Sequence, residues 1–409
     1  MTARHIAIIG AGQCAAAAAA ALRSRGFDGE LTMIGAEEEL PYERPPLSKD
    51  YLLGKALADD LRIAGPEWFA EHDIRLHLGT SVWAVDPRDR RLQLSDGRAV
   101  GYDLLLIASG GRPRPLPGVA DDRVMYLRTR QDADALAKRT RAAGEVVILG
   151  GGFIGCEIAA AAHTLGAQVT ILEMQGALLQ AALGPEIGSL LGGIHRAAGV
   201  TVRTGEAVRA VTAEPDGLQV ETSQGELRCG LLLVATGMIP NVEFLAGSGV
   251  NVSGGVAVDE YCRTNVDGIY AAGDVAVTYH PAYGAHLRVE HYDNAIKQGT
   301  AAAAAMLGET EPYTDPHWFW SDQYQHNLQS VGLAHHYDQA VMRGSADDAS
   351  FSVFYLAEGV VQSVFALNRP KDIGIGRRMV AGRLRVDPRV LADPGADLRE
   401  LVRPPRRRS

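Results

Sequence analysis

The sequence predicts an α/β protein: two domains built on parallel sheets, then a C-terminal α+β domain built on an antiparallel sheet. Three observations carry this. Two glycine-rich turns, Gly10-Ala11-Gly12-Gln13-Cys14-Ala15 and Gly150-Gly151-Gly152-Phe153-Ile154-Gly155, each follow a short apolar run and open a stretch of small residues. A further apolar strand follows each, Leu31-Thr32-Met33-Ile34 and Val169-Thr170-Ile171-Leu172. From about residue 321 the pattern changes to alternating runs such as Phe351-Ser352-Val353-Phe354-Tyr355-Leu356 and Val360-Val361-Gln362-Ser363-Val364-Phe365, which suit antiparallel strands.

The first element, Ile6-Ala7-Ile8-Ile9, reads as a buried parallel strand. Gly10 and Gly12 then permit a tight turn, and Cys14 and Ala15 start a helix of alanines that presses closely on a sheet. Strand, glycine turn and helix in this order hold a dinucleotide, because the backbone can approach a pyrophosphate whose charge meets the helix N-terminus. Val146-Val147-Ile148-Leu149 followed by Gly150, Gly152 and Gly155 repeats the arrangement. Two such Rossmann-like units in one chain imply two dinucleotides, a flavin to hold electrons and a nicotinamide to deliver them.

The strand after each turn should end near an acid that accepts hydrogen bonds from a ribose. In the second unit this is Glu173, followed by Met174-Gln175-Gly176 with no arginine to receive a 2′-phosphate. That favours NADH over NADPH. In the first unit Glu37 stands in the corresponding place, one residue late, and Glu38 and Glu39 compete with it.

With 49 acidic against 40 basic residues, the composition argues against a general nucleic-acid binder. No apolar run reaches the roughly 18 residues of a membrane helix, and a strand begins almost at the N-terminus, leaving no room for a secretory signal. A cytoplasmic location is the expectation. Cysteines 14, 156, 229 and 262 form no CxxC pair, so neither a redox dithiol nor a zinc knuckle is expected and no metal is called for. Cys14 and Cys156, inside the two turns, read as small buried residues.

The stretch Leu40-Pro41-Tyr42-Glu43-Arg44-Pro45-Pro46-Leu47-Ser48-Lys49-Asp50 resembles the segment after the first βαβ unit of FAD-dependent ferredoxin reductases. Those enzymes serve bacterial Rieske dioxygenases and class I cytochrome P450 systems, and the apoptosis-inducing-factor-like oxidoreductases share the segment. Further matches run in family order: Leu104-Leu105-Leu106-Ile107-Ala108-Ser109-Gly110, Tyr126-Leu127-Arg128-Thr129, Val234-Ala235-Thr236-Gly237, Tyr270-Ala271-Ala272-Gly273-Asp274-Val275 and Trp318-Phe319-Trp320-Ser321-Asp322-Gln323. The resemblance covers nearly the whole chain.

It implies roles residue by residue. Lys49 would lie near flavin N5, Arg44 would serve the FAD phosphates or adenine, and Asp274 would accept a hydrogen bond from the ribityl chain. Cys14, Val82, Arg128 and Tyr292 are placed against FAD, although Val82 and Tyr292 equally suit a core. On the nicotinamide side, Phe153 and Ile154 would cover the NADH backbone and Glu157 would bind the carboxamide. Gly237 would let that cofactor pass, and Trp320 would be an aromatic plate beside the rings. The alternative for Trp318, Phe319 and Trp320 is core filling. Relatives with a redox cysteine after the Pro-Pro-Leu-Ser-Lys position have no counterpart in Ser48-Lys49-Asp50-Tyr51-Leu52-Leu53.

The domains follow from these anchors. Residues 1–112 and 240–320 form an FAD-binding domain, 113–239 an inserted NAD-binding domain, and 321–409 the C-terminal domain. Pro113, Pro115 and Pro117 leave the first half, and Pro240 returns to it. Residues 88–100 and 218–228 read as hairpins, helices are expected from about Lys371 and Asp397, and the tail from Arg403 as solvated. The function implied is an NADH:ferredoxin oxidoreductase with a [2Fe–2S] ferredoxin as partner. Two alternatives stay open, an NADH oxidase or quinone reductase and an NADH-sensing flavoprotein. Arg369, Lys371, Arg377, Arg378, Arg383 and Arg385 are candidates for a docking patch facing an acidic partner, or ordinary surface charges.

Overall fold

The computed structural model describes residues 3–334 and 336–403. The expected tail beyond Arg403 lies outside them. The chain divides into two compact units.

The first unit holds the chain up to Pro45, Leu57–Arg112 and Met238–His317. Its centre is a five-stranded parallel sheet in the order Ile269–Ala271, Leu104–Ile107, His5–Ile9, Glu30–Ile34, Ile74–His77. Being covered on both faces, the central strands are apolar along their length rather than alternating: Ile6, Ala7, Ile8 and Leu105 are fully buried. Helix Gln13–Ser24 packs on helix Tyr292–Met306 through small residues on both, among them Ala15, Ala18, Ala302 and Ala303. The approach is close enough that a Cβ on Gly299 would stand 2.5 Å from the Cys14 carbonyl oxygen. The hairpin expected over residues 88–100 is present as Arg91–Leu94 and Ala99–Gly101, extended by Val82–Asp86 into a three-stranded sheet.

The second unit holds Pro46–Ala56, Pro113–Gly237 and the chain from Trp318. A second five-stranded parallel sheet runs Thr201–Thr204, Gln168–Glu173, Glu145–Leu149, Leu231–Val234, Val124–Met125. The two glycine turns therefore occupy equivalent places, each at the end of a central strand flanked by two parallel neighbours. Helix Arg130–Ala143 is entered through a capping box, with Thr129 Oγ1 accepting from the Asp132 N–H and the Asp132 carboxylate accepting from the Thr129 N–H. The second hairpin, Gly217–Thr222 and Gly225–Cys229, gains Val208–Glu214 as a third strand.

The C-terminal antiparallel sheet runs Trp318–Gln323, His326–Gly332, Val360–Leu367, Ser350–Ala357, Gln339–Ser345. Helix Pro370–Ala381 lies where expected, with proline at its first turn. The helix expected from Asp397 is instead a single 3₁₀ segment, Leu398–Val402, capped by Asp397, and a short helix Pro388–Ala392 precedes it. Only eight residues, 396–403, stand between the Asp393-Pro394-Gly395 turn and Pro404, which is short for a regular helix. Among the described residues, no helix is long and apolar enough to cross a membrane.

Candidate active site

The two glycine turns have nearly the same geometry. Gly10 adopts φ +118° and Gly150 φ +108°, values that side chains rarely adopt. A Cβ on Gly10 would stand 2.2 Å from the Ala108 carbonyl oxygen, and one on Gly150 2.4 Å from that of Ala235. Each glycine thus lets its turn cross the neighbouring strand. Gly12 and Gly152 cap the following helices, and a Cβ on either would meet nothing within 4 Å. That clearance at each helix N-terminus is what a pyrophosphate needs, so both cradles fit a dinucleotide. In the second turn Gly155 sits against the turn's own backbone so tightly that its Cβ would be 2.0 Å from the Gly150 oxygen; the first turn has buried Ala15 at that place.

Around the first turn, several expected residues converge. Glu37 receives Arg44 Nη2 at 2.5 Å and the Tyr42 hydroxyl at 2.5 Å, and Arg44 also donates to Tyr42 Oη at 2.9 Å. Burial works against the Arg44 charge, but the Glu37 carboxylate outweighs it and raises its pKa, with Asp274 adding to the effect. Asp274 lies in the one-turn 3₁₀ segment Gly273–Val275, whose Gly273 N–H is held by Gln298 Oε1 at 2.7 Å. Cys14 lies beneath this turn, where a Cβ on Gly273 would be 3.2 Å from its Sγ. Tyr292 opens its helix and donates to Glu43 Oε1 at 2.7 Å. Val82 packs into the apolar core with Ile9, Ile34 and Leu94.

In the second unit, Glu173 accepts from the Gly151 N–H at 2.7 Å through one oxygen and from the Gln175 N–H at 2.7 Å through the other. It joins the end of its strand to the glycine turn. Ile154 and Met174, beside the turn and beside Glu173, are among the exposed large apolar side chains. Gly237, at φ +96°, has nothing near the place of a Cβ. Arg128 immediately precedes the capping box, and its N–H donates to Asp132.

Glu157 is the centre of a buried polar cluster. It is 4% exposed, lies on helix Phe153–Thr164, and accepts from three side chains. Lys49 Nζ is 2.8 Å from Oε1, Ser321 Oγ donates to Oε1 at 2.7 Å, and Ser48 Oγ donates to Oε2 at 2.5 Å. The repeat lengths of two elements explain the fit. Residues four apart on a helix are about 6 Å apart, and residues two apart on a strand about 6.6 Å. Phe153 and Glu157 thereby meet Phe319 and Ser321: the two Phe rings are 4.3 Å apart, edge to face. The opposite face of the same strand carries Trp318 and Trp320, stacked at 5.1 Å, with Arg377 over the Trp318 ring.

The pyridine nucleotide-disulphide oxidoreductase family matches residues 4–299, and the reductase C-terminal family residues 318–402. The chain belongs to the pyridine nucleotide-disulphide oxidoreductase family. It is 39% identical over 406 residues to the ferredoxin–NAD(+) reductase component of the anthranilate 1,2-dioxygenase system of Burkholderia cepacia, covering 98% of this chain and 100% of that one. It is 36% identical to putidaredoxin reductase of Pseudomonas putida, covering 97% and 96%. Among solved structures, the covalent putidaredoxin reductase–putidaredoxin complex superposes with a TM-score of 0.94 at 35% identity, over 97% of both chains. FAD and NADH are the cofactors of this family member.

Despite the family's name, no two cysteines of this member stand in CxxC spacing. All four cysteines are free and buried. Burial pushes the Cys262 thiol up to about 12 and that of Cys229 up to about 11, and raises those of Cys14 and Cys156 strongly. Such thiols are poor nucleophiles. Among the candidate docking residues, Arg369 is tied to Asp372 at 2.7 Å and Arg385 donates to the Glu358 carbonyl. Sequence reading missed Ser48 as a partner of Glu157, and Tyr42 and Glu43 as holders of Arg44 and Tyr292. The alternation of Phe319, Ser321 and Gln323 was the signal that one strand face is polar within a core.

Proposed function

We propose that the chain is an NADH:ferredoxin oxidoreductase that takes hydride from NADH and passes electrons one at a time to a [2Fe–2S] ferredoxin feeding an oxygenase, either a Rieske dioxygenase or a cytochrome P450. When bound, FAD accepts electrons in a pair as hydride and releases them singly, which is the chemistry this exchange requires. The observation that carries the reading is the pairing of two matched glycine cradles with four buried, free cysteines. Two dinucleotides are provided for, and the buried thiols with raised pKa values are poorly suited to take the electrons, so they leave for an acceptor outside the chain. The relatives named for ferredoxin reduction support that acceptor.

The residue assignments belong to the same proposal. Gly10, Gly12, Ala15, Cys14, Glu37, Arg44 and Asp274, with Val82, Arg128 and Tyr292, are assigned to FAD. Gly150, Gly152, Phe153, Ile154, Gly155, Glu173 and Gly237 are assigned to NADH. Glu157 accepts from the nicotinamide carboxamide, while Lys49 and Trp320 stand at the reacting rings. Lys49 and the two serines hold the Glu157 carboxylate in one place, so it meets the carboxamide without a search among rotamers. Glu173 leaves its Gly151 bond for the ribose hydroxyls. The domain boundaries at 112, 239 and 320 and a cytoplasmic location complete the proposal.

The test is NADH oxidation by the FAD-loaded protein in air, with cytochrome c as terminal acceptor. A slow basal rate and a large increase on adding a [2Fe–2S] ferredoxin are expected. Rapid oxidation that ferredoxin leaves unchanged would point to an oxidase instead.

A further inference from the structure

The donors on Glu157 do not stop at Ser321. Gln323 Nε2 donates to Ser321 Oγ at 3.1 Å, His195 Nε2 is 3.0 Å from Gln323 Oε1, and His195 Nδ1 is 3.0 Å from the Tyr324 hydroxyl. Ser321 and His195 are fully buried and Gln323 is 2% exposed. His195 comes from helix Gln180–Ala197, remote in sequence from every residue assigned to the reaction.

The chemistry of each group fixes the direction of the chain. Gln323 presents its carbonyl to His195, so His195 Nε2 carries the proton. A neutral imidazole has only one, which makes Nδ1 an acceptor and the Tyr324 hydroxyl its donor. The Gln323 amide then gives its N–H to Ser321, and Ser321 is left to donate to Glu157. Every link donates toward the carboxylate. Reversing the amide would turn its oxygen toward Ser321, drawing that hydroxyl away from Glu157. The carboxylate sets the order, since it accepts the Ser321 hydroxyl and leaves that oxygen to accept the Gln323 N–H, and His195 holds the amide this way round by offering Nε2–H to its carbonyl. Burial pushes the His195 pKa down to about 4, so the ring stays neutral and keeps its single proton across the ordinary range.

We infer that His195, Gln323 and Ser321 are positioning residues for NADH oxidation: a one-way hydrogen-bond chain from helix Gln180–Ala197 that sets the donor on Glu157 and so the carboxylate's placement for the nicotinamide. This rests on the assignment of Glu157 to the carboxamide.

The test is stopped-flow reduction of the FAD-loaded protein by NADH, read as bleaching of the flavin band, with FAD content and melting temperature as controls. His195→Leu removes the N–H and is expected to slow reduction by about tenfold, the effect of about 1.4 kcal/mol on the barrier. His195→Gln, which keeps a donor facing Gln323, is expected to recover most of the rate. Ser321→Ala is expected to slow reduction similarly and to add little in the His195→Leu background, because both break one chain. A purely structural role would instead give losses that add and that His195→Gln does not repair.

Wild-type rates in both His195→Leu and Ser321→Ala would overturn the inference. If His195→Leu fails to fold, Ser321→Ala and Gln323→Leu decide it by the same readout. Glu157→Gln separates the two levels. If it leaves reduction unchanged, the assignment of Glu157 falls; if it slows reduction while the chain variants do not, only the chain falls.

Discussion

Ser48 and Ser321 bind opposite oxygens of Glu157, at 2.5 and 2.7 Å, and Lys49 shares the second oxygen at 2.8 Å. The carboxylate, carried on a helix, is thereby gripped from a proline-rich segment and from a sheet strand of the same unit. Its placement is a property of the whole unit rather than of its helix.

Removing one member of that grip should cost stability as well as rate. Lys49→Met strips the cation from a buried carboxylate, with an expected loss of about 3 kcal/mol, at the low end for broken buried pairs because two serines still donate. Adding Glu157→Gln should recover more than half of it. Denaturant unfolding of the FAD-loaded proteins measures this cycle, and two losses that simply add would contradict it.

The glycine turns predict separable losses. Gly10→Ala puts a methyl group 2.2 Å from a backbone oxygen and should yield protein that purifies without FAD. Gly150→Ala meets its oxygen at 2.4 Å and should retain FAD, with its visible spectrum, while the KM for NADH rises by at least about tenfold. Loss of FAD from the second variant would show that the two cradles are not independent.

Glu173 should set the nucleotide preference. Its two oxygens bridge Gly151 and Gln175, so it stands at the end of the second cradle with a charge that repels a 2′-phosphate. Glu173→Ala combined with Met174→Arg should shift the ratio of kcat/KM for NADPH over NADH by about 100-fold or more. An unchanged ratio in steady-state assays would remove Glu173 from that role.

Buried histidines predict acid sensitivity. Burial pushes His195 down to about 4 and His317 down to about 3, whereas an unfolded chain's histidines titrate near 6.5. Below about pH 6.5 the unfolded state takes up protons that the folded state refuses, so the stability is complete above that pH and is lost as pH falls toward 4. The melting temperature should decline across this window, and His317→Phe should flatten the decline. An identical slope in that variant would assign the loss to other groups.

Much of this was legible in the sequence because short-range rules govern it. Gly10 and Gly150 must stand between a buried strand and a helix, and the runs ending at Ile9 and Leu149 have the composition of strands covered on both faces. Lys49 and Glu157 were each singled out, but not as neighbours of each other. Nothing local in Ser48 or Ser321 says that both will meet the same carboxylate, since they come together only when three distant segments pack. The excursion of Pro46–Ala56 into the second unit, where Leu52 is 1% exposed in its core, has no local cue either. Asp397 signalled a helix start, yet only six residues separate it from Pro404, and the stretch between them forms only the 3₁₀ segment Leu398–Val402.

The central claim is that electrons enter as a pair and leave singly to an iron–sulfur protein. Its most direct test is anaerobic: the FAD-loaded protein is mixed with one equivalent of NADH and an excess of oxidised [2Fe–2S] ferredoxin, and reduced ferredoxin is counted by its absorbance. The account predicts about two ferredoxins reduced per NADH consumed, because each accepts one electron. Consumption of NADH with no ferredoxin reduced, the reducing equivalents passing to oxygen once air is admitted, would contradict it.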